Sequence, residues 1–524
     1  MNLELQARPS AAVEPSVSTL RPAPIPAAGQ RAWRIFVWLL LASAVTRCCM
    51  AARVPLSGDE GYYWLWSRHL AWGYYDHPPM VAWVIRLTTS LLGTSELTTR
   101  LGAIVSLALI PLILARLALD CGGGWEAAAA TGFLCLATPT LVVEGGFITP
   151  NSPFLLFWTL ALWLYHRALV LQHRRWRDWI LAGAMLGCAA LGKLMALLFL
   201  PSLLLFALLS PVHRPLLRNV RAWASLGTSA LVFLPYVWWN ASHDWEDFRY
   251  QLFLRHLVPD VKYSGIWHFA MLQAASISPV LLGVGIVAVV ASLRRRGSPL
   301  FLGCMAAGTI GFFSLCACVG QVELYWTVGG WLAAFVSISL WAFETPQGVW
   351  WKLGRRRRWA VASGVLIPGL FITSLVYAGP FFPRVTLFLA TLGHPPGFRG
   401  NGVTELYSYP LLAQDLVAPP GTFVVSDSYA LSAVLSFYQR GYVHTMPGNL
   451  QGQEWRRWER PEALRGEDAI YLDREPLSAR PDIRRRLLTA FDAVGDEVER
   501  DYWQDGVPTA SYWEVHCKGF HGSW

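Results

Sequence analysis

The sequence predicts a polytopic α-helical membrane protein with a small α/β domain after its last span, and three observations carry that prediction. Of the 524 residues 54% are hydrophobic and only 15% charged. The apolar runs are long enough to cross hydrocarbon rather than merely fill a core. Between those runs the arginines gather in short loops, which is a signature of topology. Residues 1–32, rich in Ala, Pro and Ser, lack the short apolar segment and small-residue cleavage site of a secretory signal. They read as a disordered cytoplasmic tail.

Candidate spans begin near Trp33, Arg100, Trp125, Pro150, Trp179, Leu194, Ala222, Trp267, Pro299, Leu324 and Trp359, about eleven transmembrane helices in a core of residues 33–378. With the N-terminus inside, the basic loops all fall on the cytoplasmic side: Arg167 with Arg174, Arg175 and Arg177, then Arg214, Arg218 and Arg221, then Arg294–Arg296 and Arg355–Arg358. The same count places Asp59–Glu96, Glu144–Asn151, Asn240–Trp267 and residues 379–524 outside. Within the first outer loop, Tyr62–Leu70 and Pro79–Leu92 read as short amphipathic helices lying along the lipid interface. In the C-terminal part Thr422–Val425 reads as a strand, Tyr429–Tyr438 as a helix and Ala469–Leu472 as a second strand, so a small outer α/β domain is expected.

A net charge of +9 spread over topological loops does not make a phosphate-binding stripe, and nucleic acid is not an expected partner. Of nine cysteines only Cys517 lies in the polar C-terminal part, and no metal-finger spacing or disulfide framework appears. There is no internal repeat, Walker loop or Gly-x-Gly-x-x-Gly fingerprint, so no nucleotide is expected. The 27 tryptophans suit interfacial belts and also offer faces for sugar rings.

The chemistry gathers in the first outer loop. Leu56-Ser57-Gly58-Asp59-Glu60-Gly61-Tyr62-Tyr63 and Gly73-Tyr74-Tyr75-Asp76-His77-Pro78-Pro79 place three carboxylates and an imidazole at a membrane surface, where such groups are costly. Pro78 and Pro79 hold His77 extended and start the next helix. Transfer of a sugar to a hydroxyl needs a carboxylate to take the acceptor proton and cations to stabilise a leaving phosphate. Asp59 and Asp76 fit the first need; Arg100, Lys193 and Arg255-His256 share a membrane depth that fits the second. Asp59 and Glu60 also read as a solvated helix cap, and Arg100 and Lys193 as cations snorkelling to the interface. Asp76 and His77 offer ligands to a divalent metal or to phosphate. Thr149-Pro150-Asn151-Ser152-Pro153 reads most simply as a helix cap, and so does the acid of Glu323-Leu324-Tyr325-Trp326. Trp238-Trp239-Asn240 reads as part of an aromatic belt, with sugar contact as the alternative.

These motifs resemble the bacterial branch of the protein O-mannosyltransferase and aminoarabinose-transferase superfamily, GT-C glycosyltransferases of family 39 type. The resemblance rests on Asp59-Glu60-x-Tyr62-Tyr63, Tyr74-Tyr75-Asp76-His77-Pro78-Pro79, Arg100, Thr149-Pro150-Asn151-x-Pro153, Gly192-Lys193 and Trp238-Trp239-Asn240. It covers roughly Trp33 to Ala378. It implies a multi-pass enzyme of the bacterial inner membrane that takes a sugar from a polyprenyl-phosphate carrier and places it, with inversion, on a lipid, glycan or protein acceptor at the periplasmic face. Carried over, Asp59 is the catalytic carboxylate, with Glu60 beside it and Asp76 a second acid near acceptor or metal. His77, Arg100, Lys193 and Arg255 are the expected contacts of the donor phosphate. Asp76 and His256 are the expected metal side, and Tyr62, Tyr63, Tyr74, Asn151, Tyr325 and Trp326 the expected contacts of acceptor or sugar. Asn151 departs from the pattern, since many relatives carry Asp there. The rival reading is a transporter or flippase for the same lipid; such proteins often show inverted repeats and helices broken at mid-membrane, whereas here the ionisable residues gather at the outer rim.

Overall fold

The computed structural model describes residues 27–524 apart from 173–174, 254–264, 321, 449–450 and all but scattered positions of 345–401. Its helical part runs α1 (Ala27–Ala51), α2 (Gly58–Arg68), α3 (Met80–Leu92), α4 (Glu96–Asp120), α5 (Trp125–Ala137), α6 (Pro139–Glu144), α7 (Asn151–Tyr165), α8 (Trp176–Gly192), α9 (Phe199–Leu209), α10 (Val220–Ala241), α11 (Glu246–Leu252), α12 (Ile266–Ile277), α13 (Pro279–Leu293), α14 (Ser298–Cys316) and α15 (Val328–Glu344). The 25 residues of α1 rise about 37 Å, more than a hydrocarbon core of about 30 Å. Among the described residues four helices are long and apolar enough to cross a membrane: Gly29–Ala51, Glu96–Asp120, Asn151–Val170 and Ser298–Cys316. A fifth joins them if the bent pair α12–α13 is one span. Helices start within two turns of the starts expected from Trp33 to Leu324. The span expected at Trp359 lies almost wholly outside the described residues.

Most of these helices share one apolar cluster in which Trp158, Phe199, Trp331 and Phe335 are buried. The α7–α15 contact is close because Gly329 has no side chain. The Trp158 indole donates to its carbonyl at 2.9 Å, and a Cβ there would sit 3.1 Å from the ring.

Two elements differ from the sequence reading. The span expected from Trp267 breaks at Ser278-Pro279 and turns through 102°. Pro279 cannot donate a backbone bond and pushes its predecessor out of helical conformation; Ser278 takes φ +97° and caps α13 through Leu281 N. The short α12 is tied down by Thr140 with Ser276 and by Gln273 donating to the Leu324 carbonyl at 3.1 Å. The second difference is α2. It is not amphipathic with an open face: Glu60 to Ser67 are all buried, and the C-terminal domain packs on them. Helix α3 does keep an exposed apolar face, with Leu87, Leu91 and Leu92.

The C-terminal domain has α16 (Gly402–Asp415), β1 (Thr422–Ser426), α17 (Tyr429–Gln439), β2 (His444–Thr445), β3 (Asp468–Asp473), a helix over Pro481–Ala490, β4 (Phe491–Gln504) and β5 (Val507–Phe520). The strand order is β2-β1-β3-β5-β4, with β1 parallel to both neighbours and β5 antiparallel to β3 and β4. The expected strands and helix are β1, α17 and β3. The long β4–β5 hairpin was not expected, although its two-residue turn, Asp505-Gly506 with φ +51° and +79°, is the dipeptide such turns favour.

The domain is seated on α2 through α17. A Cβ on Gly58 would lie 2.5 Å from the Ala430 Cβ, and one on Gly61 would lie 2.7 Å from the Val434 Cα. Only glycine permits this approach of two backbones. Tyr438, on the same helix, accepts from the Leu56 N–H at 2.8 Å.

Candidate active site

The site is built from the start of α2. Ser57 caps that helix and forms a reciprocal box with Glu60, whose Oε2 accepts from the Ser57 N–H at 3.0 Å. The Glu60 carboxylate then meets Arg100 of α4 through Nε at 2.7 Å and Nη2 at 2.6 Å, and accepts from Ile148 N at 3.0 Å. The remaining N–H groups of Arg100 donate to the carbonyls of Ala51, Val54 and Pro55 at 3.1, 2.6 and 2.9 Å. That uses all five donors of the guanidinium. Expected as a catalytic acid and a phosphate contact, Glu60 and Arg100 instead spend their bonding capacity on each other and on the α1–α2 turn, both fully buried.

Asp59, one residue earlier, points elsewhere. Its Oδ1 accepts from the Tyr429 hydroxyl of α17 at 2.9 Å. It opens to solvent, yet the protein packed around the carboxyl pushes its pKa above the ordinary value; the Glu60 charge adds to this and the Tyr429 hydrogen bond opposes it. Tyr429 meets the ring of Tyr62 edge-on at 4.9 Å, and Tyr62 stacks on Trp455 at 5.7 Å and donates to the Gln451 carbonyl at 3.2 Å. Tyr63 meets His77 edge-on at 6.2 Å. Burial is the first cause that holds the Tyr63 and Tyr429 phenols protonated, and in both the charges of Asp59 and Asp76 add to it. Ring contacts thus run from Tyr429, the donor to Asp59, through Tyr62 and Tyr63 to His77, next to Asp76.

Asp76 and His77 are held by Gln251 of α11, whose amide donates to the Asp76 carbonyl and lies 3.4 Å from His77 Nδ1. Lys193, at the end of α8, is buried; its Nζ donates to Asn151 Oδ1 at 2.7 Å and sits over the Tyr325 ring at 4.6 Å. Asn151 in turn donates to Glu144 at 2.8 Å, and Thr149 donates to the same carboxylate at 2.7 Å. Burial raises the Glu144 pKa, against the Thr149 and Asn151 hydrogen bonds and the Lys193 charge.

Comparison with known proteins shows what this chain is similar to. Residues 76–239 match the family described as dolichyl-phosphate-mannose-protein mannosyltransferase. Lipid A galacturonosyltransferase RgtD of Rhizobium johnstonii is 28% identical over 304 residues, 56% of this chain. That match spans 62% of the relative's length. ArnT from Cupriavidus metallidurans, solved in the apo state and bound to undecaprenyl phosphate, superposes with a TM-score of 0.62 at 18% identity, over 93% of this chain and 98% of ArnT. The fold is that of the GT-C glycosyltransferases.

On this GT-C scaffold Asp59, Asp76, His77, Tyr62, Tyr63, Tyr325, Asn151 and Lys193 form one neighbourhood. Tyr74 does not face it. Its hydroxyl is shared between the Trp66 and His69 carbonyls at 3.0 and 3.1 Å, and its ring stacks on Trp66 at 4.2 Å, which pins the turn after α2. Trp326 is packed among Phe269, Phe313 and Val322. Trp239 lies under Arg457, 5.3 Å away, and against Gly73. Arg255 and His256 lie outside the described residues. Among the described residues no three His, Cys, Asp or Glu side chains are grouped to hold a metal ion.

The sequence reading missed the residues that the C-terminal domain brings. Tyr429 is one. Glu454 is another: buried, it accepts from the Tyr75 N–H and pairs with Arg457 at 2.7 Å, while Arg457 also pairs with Glu246. Burial raises the Glu454 pKa, chiefly against the Arg457 charge. Their one sequence signal was Glu454-Trp455-Arg456-Arg457-Trp458, a dense alternation of charge and indole in a polar segment.

Proposed function

We propose that this protein is a glycosyltransferase of the bacterial inner membrane, with its N-terminus cytoplasmic and its C-terminal domain periplasmic, that moves a sugar from a polyprenyl-phosphate carrier to a lipid or glycan hydroxyl. The observation that carries the reading is the run of contacts from Asp59 through Tyr429, Tyr62 and Tyr63 to His77, next to Asp76, together with the buried Lys193 ammonium over the Tyr325 ring. In this reading the acceptor oxygen attacks the anomeric carbon as its proton passes to Asp59, and the bond from that carbon to the carrier phosphate breaks. Inversion follows from that single displacement. Lys193 holds the departing phosphate, where a cation is worth most because the charge develops in the transition state. His77 stands beside Tyr63 for the same anion. Glu60 and Arg100 act one step back, as the clamp that fixes the start of α2.

The similarity to RgtD makes galacturonic acid and lipid A the first donor sugar and acceptor to test. The test is mass spectrometry of lipid A and surface glycans from a deletion strain against wild type. Loss of a glycosyl unit that returns on complementation is the expected result; identical profiles would overturn the reading.

A further inference from the structure

Tyr429 lies outside every motif of the transmembrane core, yet its hydroxyl donates to Asp59 at 2.9 Å. Three features fix that contact. Tyr429 is the first residue of α17, directly after the Ser428 cap, at the carboxyl end of the parallel strand β1. Residues at that end of such a strand are the ones α/β domains present to ligands. The turn before it is held by Asp427, which pairs with Arg480 at 2.5 Å and accepts from the Tyr471 hydroxyl at 3.2 Å. Finally, α17 is packed closely against α2 at Gly58 and Gly61, which holds the backbones that carry the phenol and the carboxylate side by side.

We propose that Tyr429 is a positioning residue for the transfer reaction, supplied by the C-terminal domain to orient the Asp59 carboxylate. This rests on the reading of Asp59 as the base. With Oδ1 occupied by the phenol, Oδ2 takes the acceptor proton, and Tyr429 keeps its own. The groups that act on this pair are Glu60 on α2, Tyr63 and Tyr62 beside them, Asp76 from the turn before α3 and Tyr250 on α11. The domain thus completes the active site in addition to covering it.

The test is Tyr429→Phe in the full-length protein, which keeps the ring on Tyr62 and deletes one hydrogen bond. With galacturonosyl undecaprenyl phosphate and lipid A as substrates, kcat should fall about tenfold or more, as for loss of one bond to a charged group, while KM changes little. The acidic limb of the pH–rate profile should move to higher pH, because the bond that favours ionised Asp59 is gone. In the Asp59→Asn background the same change should cost nothing further. Wild-type kcat with an unshifted limb in Tyr429→Phe, beside an inactive Asp59→Asn, would overturn this inference and leave the base standing. An active Asp59→Asn would overturn the base itself. A Tyr429→Phe protein that does not fold, or an additive loss in the double variant, would show the hydroxyl serving structure or another partner, and would also overturn it.

Discussion

Asp59 and Glu60 are adjacent acids with opposite fates, because each helical residue turns the side chain by about 100°. Glu60 faces inward and closes on Arg100; Asp59 faces the domain interface and Tyr429. Glu60→Ala would strand the Arg100 charge in a dry site, and removal of one partner of a buried pair costs about 3–5 kcal/mol. It is expected to lower the melting temperature of the detergent-solubilised protein sharply. Asp59→Asn keeps size and should leave melting nearly unchanged while kcat drops by about 10²–10⁴-fold, the range of a general base. In the wild-type protein activity should disappear as pH falls through the Asp59 pKa. Since that pKa is raised, the loss should begin above the ordinary carboxylate range. A limb at the ordinary carboxylate position in a pH series would contradict this. Sequence reading saw two acids at a costly depth and assigned chemistry to both, since a periodicity says that neighbours diverge but not what each one meets.

At the scale of elements, the decisive contact is α2 against α17. Gly58 and Gly61 had no role in the sequence reading; their use as a flat seat for Ala430 and Val434 depends on a segment some 370 residues away in sequence. Gly61→Leu puts a branched side chain into the Val434 backbone. It should detach the domain, seen as rapid proteolysis between the core and residue 402 and as loss of transfer. A protease-resistant, active Gly61→Leu protein would show that the seat tolerates separation. The break between α12 and α13 was written in the sequence as Ser278-Pro279, and so was the β4–β5 turn as Asp505-Gly506. The first was hidden inside an apolar run long enough to pass as one span. The second lay in a stretch dominated by charge, where β4 exposes most of its residues and no apolar alternation marks a strand.

For the whole molecule, the C-terminal domain and the first loop share one apolar cluster: Tyr62, Trp64, Trp66 and Tyr74 pack with Leu431, Val434, Phe437 and Trp455. Truncation before Gly402 would expose this aromatic surface. Such a protein is expected to aggregate on size-exclusion chromatography and to have no transferase activity, while the full chain in the same detergent should elute as a single species. The sequence by itself determined the helical bundle, because hydrocarbon demands long apolar helices and leaves that demand visible in composition. It also determined the chemical character of the first loop, because charges at a membrane surface stand out against their surroundings. Only the tertiary structure decided that Arg100 and Glu60 pair with each other, that Lys193 meets Asn151 and Tyr325, and that a distant tyrosine donates to Asp59. Those are contacts between segments far apart in the chain, and local pattern carries no record of which distant partner a buried polar group finds.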